Sequence, residues 1–162
     1  MDNNEIIEKL LVGFGGEILK TERIGDMVTL TVNSVSILPV IQFLKEQLAF
    51  NFLTDLCGIH YPNEELSLGV VYHMHNFVDN VRIRLKTFVS GNHPNVASAT
   101  GLFPAANWME RETFDFYGII FDGHPNLKRI LNVDYLDYFP MRKEYPLEDP
   151  TRHDKDDRFF GR

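Results

Sequence analysis

Apolar residues recur along this chain with two different periods, and the switching between them lays out its elements. Ile6, Ile7, Leu10 and Leu11 follow at helical spacing behind Asp2-x-x-Glu5, which matches a capping box, and Gly13 to Gly16 close the helix. Residues 17–20 and 27–32 then read as strands joined around Gly25-Asp26, with Val28, Leu30 and Val32 alternating with Thr29 and Thr31. Ser36 is placed to N-cap a helix that has Pro39 in its first turn and Val40, Ile41, Phe43, Leu44 and Leu48 as its apolar stripe. Residues 52–60 form a mostly apolar strand, and Tyr61-Pro62-Asn63-Glu64 is a turn.

Two runs alternate most cleanly. Leu66, Leu68, Val70, Tyr72 and Met74 interleave with Ser67, Gly69, Val71, His73 and His75. Val81, Ile83, Leu85 and Val89 interleave with Arg82, Arg84 and Lys86. A loop near Asp79-Asn80 makes them an antiparallel hairpin whose apolar sets face one core. The two histidines and three basic residues then share the opposite face.

Residues 108–129 break this tidy segregation. Trp108, Met109, Phe114, Phe116 and Tyr117 are spread all round a short helix, interleaved with Glu110, Arg111, Glu112 and Asp115. An ordinary surface helix separates those classes onto opposite faces. This one is expected to bury more than one face, which makes association with a partner the first functional reading. Asn107-x-x-Glu110 is placed to cap the helix and Gly118 to end it. Residues 119–121 suggest a short strand, Gly123-His124-Pro125 a turn, and residues 127–133 an extended stretch with helix as the alternative. From Pro140 onward the chain is charged and proline-punctuated and too poor in apolar residues to build a core. The organisation expected is a single domain over residues 1–140 and an extended charged tail over 141–162. The fold class is α+β, a mixed or antiparallel sheet with helices packed on it.

Composition narrows the function. With 162 residues, 44% of them hydrophobic, the chain can bury a core. Its net charge of −7 disfavours nucleic-acid binding. The tail is neutral, so the body carries that charge. Cys57 is the single cysteine, which excludes an internal disulfide, a four-cysteine cluster and a structural zinc site. It sits in an apolar strand and reads as a small core residue. No apolar run reaches the roughly 18–20 residues of a membrane span. The acidic, polar N-terminus is unlike a targeting peptide, which favours a bacterial chain.

Candidate chemistry is thin. His73-x-His75 shares a strand face with Arg82, Arg84 and Lys86, whose charge repels a divalent cation, so no metal ligand is assigned. Glu110 and Glu112 lie two apart on a helix, about 200° round it, and do not converge on one substrate. Arg111 and Asp115 are four apart and able to pair, while Glu112 and Asp115 repel unless a cation such as Arg129 lies between them. His124 reads as a hydrogen-bonded turn histidine. The glycines 13, 15 and 16 follow a helix and match no phosphate cradle. No catalytic residue is assigned. Glu110, Arg111, Glu112, Asp115, His124 and Arg129 are expected to form a structural charge network.

The run Glu110-Arg111-Glu112-x-x-Asp115-Phe116-Tyr117-Gly118-Ile119-x-Phe121-x-Gly123-His124-Pro125-x-Leu127-x-Arg129-Ile130-Leu131 resembles the signature of the C subunit of proton-pumping NADH:quinone oxidoreductase, respiratory complex I. Pro140-Met141-Arg142-Lys143-Glu144-Tyr145-Pro146-Leu147 is similar to that family's Pro-Leu-Arg-Lys-Asp-aromatic-Pro ending. Looser agreement at residues 52–56, the Tyr72 strand and residues 103–108 extends the likeness over most of the chain. Where the family has Trp-x-Gly before that ending, this chain has Leu136-Asp137-Tyr138.

The resemblance implies an accessory scaffold subunit of the hydrophilic arm, supporting electron transfer from NADH to quinone coupled to proton translocation. It implies no catalytic activity of this chain alone and no cofactor in it, with iron–sulfur clusters, FMN and quinone held by partner subunits. The D subunit is the chief partner implied, with B and I nearby, on the cytoplasmic face of the membrane. Trp108, Pro125, Arg142 and Lys143 join the six charged residues as interface or structural positions, Arg142 and Lys143 meeting a partner or anchoring the tail. An equivalent subunit of an energy-converting hydrogenase or formate-oxidising complex is the alternative. Enzymatic use of His124 and metal binding by His73 and His75 are the rivals of other classes.

Overall fold

The computed structural model describes residues 3–146. Helix α1 (Asn3–Phe14) is followed by a hairpin of β1 (Ile18–Ile24) and β2 (Met27–Val32), helix α2 (Ile37–Gln47), and strands β3 (Phe52–His60), β4 (Leu68–Asn76) and β5 (Val81–Val89). These five strands form a mixed sheet in the order β1-β2-β5-β4-β3, with β2 and β5 the parallel pair. Strand β6 (Asn95–Ala97), helix α3 (Ala106–Tyr117) and strand β7 (Ile120–Asp122) complete the described chain, β6 and β7 pairing in parallel. The architecture is α+β, as its alternating patterns require.

The period-2 pattern sets the layers. Val28, Leu30, Leu68, Val70, Tyr72, Met74, Ile83 and Leu85 all lie within one buried cluster with Ile6 and Leu10 of α1, Ile37, Val40, Ile41 and Leu44 of α2, and Ala106 of α3. No strand position from the alternate set joins that cluster, so the helices line one face of the sheet. Leu66 falls before β4 and is exposed, and Thr87 fills the missing apolar step of β5, fully buried. On the opposite face the register aligns Glu22, Thr29, Arg84, His73 and Asp55 in one row across all five strands.

Several local expectations change. Strand β1 runs to Ile24, four residues beyond the expected end, because its pairing continues to the two-residue turn where Gly25 takes φ +65°. Ser36 makes no capping bond; its hydroxyl donates instead to the Glu17 carboxylate at 2.8 Å. Asp2, one half of the expected capping box, lies outside the described residues. Strand β6 had no counterpart in the sequence reading. Residues 127–133 are neither strand nor helix.

Candidate functional site

The helix α3 inverts the usual sorting of side chains. Its buried residues are Ala106, Glu110, Arg111, Thr113 and Asp115, whereas Trp108 is 62% exposed and Phe114 and Phe116 are half-buried. Within the chain itself the charges go in and Trp108 stays out, and which helix face would be covered by a second body is not marked by the charges. Burying a charge is tolerable only when it is paired and hydrogen-bonded, so the surroundings of each must supply partners.

Asp115 has the fullest set. Its Oδ1 accepts from Arg129 Nη1 at 2.8 Å, and its Oδ2 accepts the backbone N–H groups of Ile130, Leu131 and Asn132 at 3.1, 2.8 and 2.9 Å. Burial alone would raise its pKa, but the three N–H donors and the Arg129 guanidinium outweigh that and hold the carboxyl well below the usual range. Arg129 also donates to the carbonyls of Asp115, Leu136 and Tyr138. Arg111 does not pair with Asp115, as its spacing suggested. It donates through Nε to Lys128 O at 3.1 Å and through Nη2 to Arg129 O at 2.9 Å, and stacks on the Trp108 ring. Arg111 and Asp115 of the helix, with Arg129, thereby fix the path of residues 128–138, including the Leu136-Asp137-Tyr138 stretch that departs from the family pattern.

The other expected members separate from this cluster. Glu110 is fully buried on a different side, accepting from Ser98 Oγ at 2.7 Å and Ala99 N–H at 2.6 Å. Burial pushes its carboxyl up to about 7 against the opposing effect of those two bonds. Among the described residues the fully buried hydroxyl of Tyr72 has no hydrogen-bond partner, and its pKa is raised by burial and then by Glu110. Glu112 is exposed and, among the described residues, makes no hydrogen bond or ion pair. The expected six-member network therefore reduces to Arg111, Asp115 and Arg129.

His124 is held by local bonds: its Nδ1 accepts from Asn126 N–H at 3.0 Å and its Nε2 faces the Asn107 carbonyl at 3.1 Å. That arrangement leaves the proton on Nε2 and fixes the turn, with Pro125 exposed beside it. Asn107 is the second residue of α3 rather than its cap, since the helix starts at Ala106 with Ala105 before it and no side-chain capping bond. Gly118 ends the helix at φ +75°, and the Phe139 ring fills the space a Cβ would need. Arg142 donates to Tyr117 O at 2.7 Å and lies over Phe139, while Met141 N–H reaches Phe116 O. Lys143 is tied only by its backbone N–H, to His60 Nδ1 at 3.0 Å. Glu144 lies 3.5 Å from that same nitrogen. Because Nδ1 accepts a hydrogen bond from the Lys143 N–H, the backbone bond describes this contact better than an ion pair.

The two strand histidines are engaged elsewhere. His73 Nε2 accepts from Arg84 Nε at 2.7 Å, and burial followed by the Arg84 charge lowers its pKa. His75 Nε2 meets Asn80 Oδ1 at 3.1 Å. The described residues include no group of three potential ligands. Cys57 corrects the expectation of a core thiol: it is half-buried on the face away from the core, where burial and then Asp55 push it up to about 11.

The sequence reading passed over the partners of these charges. Ser98 and Ala99 lie beside three-residue β6, and the three N–H groups at Asp115 belong to backbone, which leaves no trace in residue type. The inward bonds occupy the polar atoms of Arg111, Asp115 and Arg129 on the chain itself. Three large apolar side chains of residues 128–138 face outward: Leu131, Val133 and Tyr135 are 67, 47 and 87% exposed.

Known proteins resemble this chain in sequence and fold. Residues 30–151 match the family model described as respiratory-chain NADH dehydrogenase, 30 kDa subunit. The chain is 42% identical to the C subunit of NADH-quinone oxidoreductase from a Roseiflexus species over 91% of its length and 86% of the relative's. It is 38% identical to the protein of the same name from Citrifermentans bemidjiense over 93% of its length and 94% of the relative's. A solved trypsin-resistant fragment of Nqo5 aligns with TM-score 0.67 and 26% identity, covering 75% of this chain and 99% of the fragment.

Proposed function

This chain belongs to the 30 kDa subunit family of the respiratory-chain NADH dehydrogenase, and from that premise we propose that it is a non-catalytic scaffold of the enzyme's hydrophilic arm. In this reading it supports electron transfer from NADH to quinone, coupled to proton translocation, without holding a cofactor. The iron–sulfur clusters, FMN and quinone belong to its partners. It docks chiefly on the D subunit, close to B and I, peripherally on the cytoplasmic face of the membrane. No helix among its described residues is long and apolar enough to cross a membrane.

The observation that carries the reading is the inverted helix. Arg111, Asp115 and Arg129 spend their hydrogen bonds on shaping residues 128–138, while Trp108, Leu131, Val133 and Tyr135 stand in water beside them. Exposed large apolar side chains grouped on one element and on the segment it shapes suit a surface for another protein, and tryptophan and tyrosine are the residue types most often found at the energetic centre of such contacts. The trypsin resistance named for the related Nqo5 fragment supports a compact body over most of the chain.

The test is to pull down the tagged chain from gently solubilised membranes, assay NADH:quinone reduction and identify the subunits. A large iron–sulfur assembly with that activity is expected, and Trp108→Ala is expected to lower its recovery without lowering the chain's own melting temperature. A hydrogenase-type assembly would keep the scaffold role and change the electron donor. A lone chain without partners would overturn the reading.

A further inference from the structure

A cleft of about 490 Å³ runs between strand β3 and helix α3. Its walls are Cys57 on the strand and Phe116 and Tyr117 on the helix, with Met141 closing one part, and two carboxylates line it, Asp55 and Glu112. Gly58 lets the helix come this close, because a Cβ there would strike the Tyr117 ring.

Among the described residues, neither carboxylate meets a lysine or arginine. Glu112 is the only charged residue of α3 that is exposed, and among the described residues it has no ion-pair partner. Asp55 lies 3.6 Å from His73 Nδ1, but His73 accepts a hydrogen bond from Arg84 and its lowered pKa leaves the ring uncharged at neutral pH. Apolar walls combined with two carboxylates that no lysine or arginine among the described residues meets, Asp55 facing only His73 and Cys57, are the complement of a long aliphatic stem carrying a cation. The cleft shares a helix face with Trp108, since Trp108, Glu112 and Phe116 follow one another at four-residue spacing along α3.

We propose that this cleft receives a lysine or arginine side chain of the subunit that covers the exposed apolar side chains, with Glu112 and Asp55 as its carboxylate partners. The proposal rests on the docking reading above and adds the chemistry that gives the interface its register. Like charge opposite Glu112 and Asp55 would be rejected, so the pair selects which partner surface fits.

Cys57 is a built-in reporter of occupancy, since it is the chain's single cysteine and lines the cleft. Its alkylation by iodoacetamide is followed by mass spectrometry in the free chain and in the purified complex, and retention of the chain by the complex is followed as NaCl is raised. Cys57 is expected to react at least about tenfold more slowly in the complex, and Glu112→Gln is expected to weaken retention about tenfold and flatten its salt dependence. Glu112→Gln leaves the melting temperature of the free chain unchanged, because the side chain is exposed. If Glu112→Gln and Asp55→Asn are both retained like wild type while Trp108→Ala is not, the cation site is wrong and the docking reading stands. If none of the three alters retention, both are wrong. If Cys57 is already protected in the free chain and exposed by replacing Arg152, Lys155 and Arg158 with glutamine, the chain's own tail is the occupant and the proposal is overturned.

Discussion

Replacing Asp115 by asparagine tests how the inverted helix is held. The side chain is fully buried and is the common acceptor for Arg129 and for three consecutive backbone N–H groups. Asparagine keeps the size but must turn its amide nitrogen toward either Arg129 or the N–H row, donor against donor. Removing one member of a buried ion pair costs about 3–5 kcal/mol. Arg129 keeps its bonds to Leu136 O and Tyr138 O, which places the loss near the lower end, about 3 kcal/mol. At about 2–4 °C per kcal/mol for a chain approaching this size, the melting temperature is expected to drop by roughly 6–12 °C. Acid should close the gap. The folded pKa of Asp115 lies below the value of ~3.9 in an unfolded chain, so its contribution is complete above about pH 5 and is lost as pH falls through ~4 toward the folded value. Thermal unfolding by circular dichroism at pH 7 and in mild acid measures both effects. A variant melting within about 2 °C of wild type at pH 7, or a gap that persists undiminished in acid, would refute the reasoning.

Arg111→Ala strips the Lys128 and Arg129 carbonyls of their donors and is expected to cost about 1–3 kcal/mol in chemical denaturation and to lower recovery of the assembled complex; no change in either measurement ends the structural role assigned to it. Glu110 titrates near 7 when folded but at about 4.3 when unfolded, so the folded chain keeps a proton across that window. Wild-type stability should therefore fall as pH rises from about 4.3 to 7 and then level, whereas Glu110→Gln lacks that slope; parallel pH profiles for the two proteins would contradict the buried-acid assignment. Gly118→Ala combines a left-handed backbone with a collision against the Phe139 ring, and a loss of about 1–3 kcal/mol is expected by denaturant titration.

The hairpin of β4 and β5 was legible because alternation at period 2 has few other physical explanations over runs of that length. Helix ends were less so. Ser36 has the right residue type for a cap, yet a carboxylate nineteen positions earlier captured its hydroxyl. Within α3 the mixture of residue types marked the helix as unusual, but did not show which of them turn inward. Hydrophobicity argues that aromatics bury, and nothing in the letters shows that residues 128–132 return to offer carbonyls and N–H groups to Arg111 and Asp115. Backbone partners carry no signature of their own, so a sequence displays the charge and hides what satisfies it. Helical spacing and charge already pointed to Arg129 as a cation for Asp115, a pairing at 2.8 Å in the structure.

The grip of Asp115 and Arg129 on residues 128–138 also bears on the entropy of association. A segment that orders only on contact adds its lost conformational freedom to the free energy of binding, about 1–2 kcal/mol for each backbone residue fixed. Here the stretch carrying Leu131, Val133 and Tyr135 is shaped by bonds to α3 within the chain itself. Its freedom is given up during folding, so the partner meets a preorganised template and the strength of the contact reflects the fit of the two surfaces.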